Sequence, residues 1–369
     1  MKLFDAHCHL QDKRVIDKAS QLISAALAVG VTNFAVNGTS EKDWDLVKEM
    51  GETYPSVIPC FGIHPWFMAD RSPHWFNTLK KLFETTPTAA VGEIGLDKGP
   101  LAAGIDYSDQ LVVFRPQLEL AKELNRPVAV HCIDAFDDLL EIMRAVGPFP
   151  AGVILHSFNG SADVVPKLAE LGAYFSFSGW FTYIDEKIAK ETLKSIPSDR
   201  FLLETDSPDG LPKSDESTSD PKPTLNEPAN ILAVLDYVAN LSNMKKEELA
   251  ELSYVNTVRL FSYPVVPWYI VDVLRFVSDC PSSVAEYSIG FLLLQSVDGS
   301  VYPLVWVSSG FARRLVVFLE LVHPSSFVKF SCQAPRFVLL QFAFSMVLLF
   351  GLNWDYAICA SFRFGSFSV

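Results

Sequence analysis

The stretch Phe4-Asp5-Ala6-His7-Cys8-His9 sets the reading of the whole chain. A short apolar, β-prone run stops there on two imidazoles. Strand side chains alternate between faces with period two, so His7 and His9 point one way and Cys8 the other. The pattern returns further on. His131 falls in PVAVHC, His156 in GVILHS, Glu93 in AAVGEIG and Asp206 in FLLETD. Four of the seven histidines and two acidic residues thus stand where strands should end.

Strand-like runs cover 2–8, 31–37, 57–63, 88–93, 128–131, 152–157, 173–178 and 201–205. Between them lie amphipathic stretches, 17–29, 41–50, 110–124, 134–145, 161–171 and 186–195, with apolar residues at helical spacing. Asp134 and Ser161 read as helix N-caps, and Gly30, Gly147 and Gly172 follow helix ends. Eight βα units in about 250 residues predict a (β/α)8 TIM barrel of the metal-dependent hydrolase type over residues 1–262. An open doubly wound sheet would not gather the ends of strands 1, 4, 5, 6 and 8 around one point. A closed barrel does. Buried imidazoles and carboxylates without partners carry a heavy desolvation cost, which a pair of divalent cations removes for all six at once. Glu93 is the natural bridge, because its two oxygens can reach metals ~3.5–4 Å apart.

Composition narrows the function. Of the 369 residues, the first 261 hold 37 acidic and 24 basic side chains and so carry the whole net charge of −13. That excludes a broad electrostatic grip on duplex nucleic acid. Six cysteines show no paired spacing, and no basic, apolar leader precedes the first strand. A cytoplasmic chain is expected, with the nucleus as the alternative. A polar excursion from Pro208 to Pro228 is expected to sit at the barrel mouth.

After Phe261 the character changes. Residues 262–369 hold 13 of the 28 Phe, 16 Ser and only six residues of each charge, with no helical period. They resemble a translated non-coding extension, an atypical Phe/Ser-rich tail (263–369) rather than a packed domain. Their longest apolar run, 337–352, is shorter than the ~20 residues of a spanning helix.

The motifs MKLFDAHCHL, GIHPW, VGEIGLD, the glutamines Gln110 and Gln117, PVAVHC, ILHSFNG, LLETDSP, NEP and NTVRLF resemble, in order and spacing, the TatD-type metal-dependent deoxyribonucleases. The resemblance covers residues 1 to about 262. It implies a hydrolase of phosphodiesters with two divalent metal ions, Mg²⁺ first, typically a 3′–5′ exonuclease on single-stranded DNA or RNA ends; the histidine-rich donor set, softer than an all-oxygen site, adds Zn²⁺ or Mn²⁺ as alternatives. Carried over, His7, His9, Glu93 and Asp206 would hold one metal, and Glu93, His131 and His156 the second.

The chemistry assigns Asp206 as the base that takes the water's proton, beside Glu93 as the bridging group. His64 is a candidate phosphate contact, with a structural strand-end histidine as the competing reading. Glu204 either orients a ligand or forms a core ion pair. Asp97 reads as a loop or cap residue, and His74 and His323 as bystanders. No membrane is expected for the barrel. An ester or amide hydrolase, a deacylase, would use the same site, and a catalytically dead interaction protein is the remaining alternative.

Overall fold

The computed structural model describes residues 1–213 and 225–262, together with the backbone of four strands further on. The chain divides into two compact units, Met1–Tyr263 and Pro264–Val369.

Eight strands build the first unit: β1 (Leu3–Cys8), β2 (Val31–Asn37), β3 (Val57–Phe61), β4 (Ala90–Asp97), β5 (Val128–Ile133), β6 (Val153–Leu155), β7 (Ala173–Phe177) and β8 (Phe201–Leu203). They lie side by side in chain order, and every paired neighbour is parallel. Strands of this kind are covered on both faces and read as near-continuous apolar runs; β1, β3, β4 and β7 are buried at every residue. The ring is closed at its carboxyl end, where the Asp206 amide donates to the His7 carbonyl at 2.9 Å and the His9 amide to the Ser207 carbonyl at 2.6 Å. The TIM barrel read from the sequence is the fold observed.

Helices alternate with the strands: α1 (Ala19–Ala28), α2 (Trp44–Thr53), α3 (Trp75–Thr85), α4 (Tyr107–Leu124), α5 (Phe136–Val146), α6 (Val165–Glu170), α7 (Glu186–Ser195), α8 (Ile231–Ser242) and α9 (Lys246–Phe261). In α4 the residues Gln110, Val113, Phe114, Gln117, Leu118 and Ala121 are buried at steps of three and four, the stripe that faces a sheet. The last helix seals the outside of β1, where Phe261 stacks on Phe4 at 5.2 Å. Phe4 and Cys8 therefore face the helices, while Asp5 and His7 face the barrel interior.

Two expected helix caps fall elsewhere. Asp134 takes a left-handed backbone (φ 52°), and α5 starts only at Phe136 with no side-chain cap. Ser161 donates to the Asp163 carboxylate, and α6 starts at Val165, where Pro166 presets the first turn. Gly30 and Gly172 do follow helix ends in left-handed geometry, at φ 100° and 97°. Residues 214–224 of the Pro208–Pro228 excursion, His323 and the apolar run 337–352 lie outside the described residues.

In the second unit, β9 (Leu274–Phe276), β10 (Tyr287–Gln295), β11 (Val301–Ser309) and β12 (Leu315–Val317) form an antiparallel sheet in the order 12-11-10-9. No helical period runs through this tail, and none of these strands was named from its sequence. No helix among the described residues is long and apolar enough to cross a membrane.

Candidate metal centre

All six residues picked out by their strand-end positions meet in one place. His7, Glu93 and His131 lie in β1, β4 and β5; His9 and His156 directly follow β1 and β6; Asp206 lies three residues past β8. His9 is half-buried and the others are buried. A cavity of about 730 Å³ opens above them at the barrel mouth, lined by His9, His64, Glu93, His131, His156 and Asp206.

Glu93 occupies the centre. Its Oε2 lies 3.4 Å from His7 Nε2 and 3.3 Å from His9 Nε2. Its Oε1 lies 2.8 Å from His156 Nε2 and 3.4 Å from His131 Nδ1. One carboxylate thus divides the four strand-end histidines into two pairs, one per oxygen, with His64 as a third ring near Oε1. Asp206 stands with the first pair, its Oδ1 3.5 Å from His9 Nε2. Gly92 permits this placement: it adopts φ 146°, and a Cβ there would lie 2.8 Å from both Ala129 Cβ and Asn37 Oδ1.

The far nitrogen of each ring fixes which atom faces the centre. His9 Nδ1 donates to the Asn37 carbonyl at 2.8 Å, leaving Nε2 inward. His131 is reversed: Nε2 donates to Asp97 Oδ2 at 3.1 Å and Nδ1 faces Glu93. His156 Nδ1 approaches Glu204 Oε1 only to 3.5 Å, and His156 Nδ1 and Glu204 Oε2 are left without hydrogen-bond partners. His64 Nδ1 accepts from the Trp66 amide at 3.1 Å, so its neutral ring carries the proton on Nε2, 3.5 Å from Glu93 Oε1. A protonated nitrogen offers a metal no lone pair. His64, although within reach of Glu93 and His131, is better suited to donating a hydrogen bond than to ligation.

Asp97 does more than the loop-or-cap reading expected: its Oδ1 accepts from the Gly99 amide at 2.6 Å, as such a residue does, while Oδ2 faces the site. It is the last residue of β4, 2% exposed, and its carboxylate holds His131 and accepts from the Trp66 indole at 2.6 Å. Two glutamines of α4 support this wall. Gln110 accepts from the Asp97 amide (2.7 Å) and donates to the Asp97 carbonyl (2.8 Å); Gln117 does the same at Ile63, at 2.8 and 3.3 Å. Each holds the backbone where a strand gives out, Gln110 at Asp97, the last residue of β4, and Gln117 at Ile63, two residues past β3 and beside His64. Spaced seven residues apart, they project from the same helix face. Asp5, fully buried at the other side, accepts from the Thr205 amide at 2.9 Å and its hydroxyl at 2.5 Å. It ties β1 to the segment that carries Asp206, and burial pushes its carboxyl up to about 8.

Charge in the cluster is strongly coupled. Burial pushes Glu93 up, but the imidazoles of His156, His64 and His7 outweigh it and hold the carboxyl well below its usual range. Asp206 is treated alike: burial opposes ionisation, yet the His9 hydrogen bond and the charges of His156, His9 and His7 bring it down to about 2. Burial disfavours the charged forms of His9 and His156, but their carboxylate neighbours overcome it and raise both well above an ordinary histidine. In His7 and His64 burial wins, and both are lowered.

The arrangement is therefore a set of buried anions that calls for positive charge, supplied in the metal-free protein by protons on imidazoles. The donor set fits divalent cations in that role. Two groups of donors, His7–His156–Asp206 and His7–His9–Glu93, have ligand atoms within 4.8 Å of one another, and Glu93 and His131 lie as close together in a third group that His64 joins by distance alone. Mixed nitrogen and oxygen donors are those that Zn²⁺, Mn²⁺ and their neighbours accept.

Known proteins agree with this picture. The sequence profile of the family described as TatD related DNase matches residues 4–262. YabD of Bacillus subtilis, described as an uncharacterised metal-dependent hydrolase, is 33% identical over 259 residues, covering 70% of this chain and 98% of that protein. A protein of Erwinia billingiae named 3′-5′ ssDNA/RNA exonuclease TatD is 30% identical over 266 residues, covering 71% of this chain and all of its own length. Among solved structures, the TatD homologue YjjV of Escherichia coli K12 superposes with a TM-score of 0.64 at 25% identity, over 71% of this chain and 98% of that one. The chain belongs to the TatD-related deoxyribonuclease family and is a metal-dependent hydrolase acting on ester bonds.

Proposed function

We propose that this protein removes nucleotides from the 3′ ends of single-stranded DNA or RNA with the help of two divalent ions, Mg²⁺ foremost. The observation that carries the reading is Glu93, whose two oxygens each serve a separate pair of histidines. On this reading His7, His9, Glu93 and Asp206 hold one ion, and Glu93, His131 and His156 the other. Bound there, the ions would supply Lewis acidity toward a water and toward the phosphate oxygens.

The chain's own groups do the remaining work. Asp206 is fixed through Oδ2 by the Trp180 indole at 2.8 Å, which leaves Oδ1 turned to the centre to take a proton from the attacking water. His64, held neutral by burial and its tautomer set by Trp66, presents Nε2–H to a phosphate oxygen. Asp97 and Glu204 stand behind His131 and His156 and orient them. The name of the Erwinia relative supports this substrate class. Cytoplasmic residence belongs to the same proposal, because Cys8, Cys60 and Cys132 are free and buried.

The test is digestion of single strands labelled at either end, beside an aminoacyl ester analogue, with metal content measured on the same protein. Metal-dependent shortening from the 3′ end is expected. Cleavage of the ester with the strand left intact would replace the nuclease reading by a deacylase.

A further inference from the structure

Two tryptophans at the cavity mouth are built alike. Trp66 follows β3 on a short 3₁₀ turn (Pro65–Asp70), and Trp180 follows β7 on another (Gly179–Tyr183). In each turn the capping residue accepts the tryptophan's own amide, His64 Nδ1 at 3.1 Å and Ser178 Oγ at 3.3 Å. In each the indole N–H reaches inward to a buried carboxylate of the centre, Trp66 to Asp97 at 2.6 Å and Trp180 to Asp206 at 2.8 Å. Yet both rings remain open to solvent, 38% and 50% exposed. In an eight-stranded ring, β3 and β7 lie four strands apart, on opposite sides of the mouth.

An exposed indole ordinarily keeps its rotamer freedom. These two are fixed edge-on by a hydrogen bond into the floor, so their faces are oriented before any ligand arrives and little ordering remains for binding to pay for. Charge does not compete with them for that task. Of the residues lining the cavity, Arg14 is the one Lys or Arg, and its guanidinium is held by both carboxylate oxygens of Asp209 (2.8 and 2.7 Å) and by Asp12. A polyanion entering this mouth meets two flat apolar faces and no free basic side chain among those lining residues.

We infer that Trp66 and Trp180 are substrate-positioning residues that stack on unpaired nucleobases beside the phosphodiester to be cut. The inference rests on the nuclease reading and deepens it. Stacking accepts any base, because every base has a π-face. It also selects single strands, since paired and stacked bases cannot turn their faces to two opposite walls. Selection for an unpaired end then comes from the mouth, with the phosphodiester chemistry left to the floor.

The test compares two single strands on the full chain: an ordinary oligonucleotide, and the same strand with abasic residues at its 3′-terminal positions. The wild type should cut the ordinary strand with about tenfold or greater advantage in kcat/KM. In Trp66→Ala and Trp180→Ala that ratio should fall toward one. Trp66→Phe and Trp180→Phe lose the N–H but keep a ring, so they should lower the rate on both strands and retain most of the preference. Using a ratio within each variant removes any general damage to the floor. Fluorescence anisotropy of labelled strands in EDTA, where nothing is cut, should show the same order of binding. Equal cutting of both strands by the wild type, or a preference that survives both alanine substitutions, overturns the stacking role while leaving the nuclease intact. If the wild type cuts neither strand, the nuclease reading fails and this one with it.

Discussion

The two halves of the proposed metal centre are held by different means. On the β1–β8 side, His9 is oriented by a neutral backbone carbonyl, that of Asn37, and no carboxylate stands behind His7, whose Nδ1, like that of His156, has no hydrogen-bond partner. On the β5–β6 side, both rings back onto carboxylates, His131 onto Asp97 and His156 toward Glu204. A carboxylate behind an imidazole makes it a more basic ligand and fixes its tautomer. The first half instead takes its negative charge directly, from Asp206 on the inner face. One half is charged at the ligand and the other behind it, and Glu93 belongs to both.

The largest effect should follow the residue common to both halves. Glu93→Ala should reduce metal-supported hydrolysis to background and lower the bound metal of both halves, with the thermal unfolding of the barrel largely kept. Near-normal turnover with unchanged metal content would rule out a shared carboxylate. Next comes Asp206→Asn, which an amide's inability to accept the proton should slow by about 10²–10⁴-fold in kcat with little change in KM. The reverse pattern, weaker binding at normal rate, would reduce Asp206 to a positioning role.

Asp97→Ala separates the halves. Loss of the carboxylate behind His131 should cost about 10–100-fold in metal affinity or activity, and metal titration should show one class of site weakened. Uniform weakening of both would mean that the halves are not independent. Gln110→Ala acts a step further out: it leaves the Asp97 amide and carbonyl unpaired, so a destabilisation of about 1–3 kcal/mol is expected with a smaller loss of activity. Denaturant unfolding of the variant beside the wild type measures it. The smallest effect should come from removing residues 263–369, because both halves lie within the first unit; kcat/KM of a 1–262 fragment should equal that of the full chain. A folded but inactive fragment would overturn that expectation.

How far the centre could be read from sequence follows from the period of a strand. His7, His9, Glu93, His131, His156 and Asp206 were legible because each closes an apolar run. Asp97 was missed because β4 was expected to stop at Glu93, whereas it continues to Asp97. Glu93, Gly95 and Asp97 share one face at steps of two, and Gly95 is the clue: its Cα hydrogen lies where a Cβ would collide with the His131 carbonyl. Gln110 and Gln117 carried a signal as well, two amides on an otherwise apolar helix stripe, but their partners are backbone atoms of Asp97 at the end of β4 and of Ile63 just past β3, which no local pattern names. The two tryptophans were silent for a similar reason: each indole reaches a carboxylate 31 or 26 residues away.

The seam between β1 and the segment after β8 has a bearing on how the enzyme is made. Asp5 and Thr205, hydrogen-bonded across it, stand 200 positions apart in the chain, and His7 meets Asp206 over nearly the same span. A polypeptide still emerging from the ribosome carries five of the six clustered residues before Asp206 exists, and the last helix that covers Phe4 comes later still. Such a fragment has no closed ring and no Asp206. A closed ring with all six residues in place therefore requires nearly the whole of the first unit, and no shorter piece from its amino end can assemble the centre.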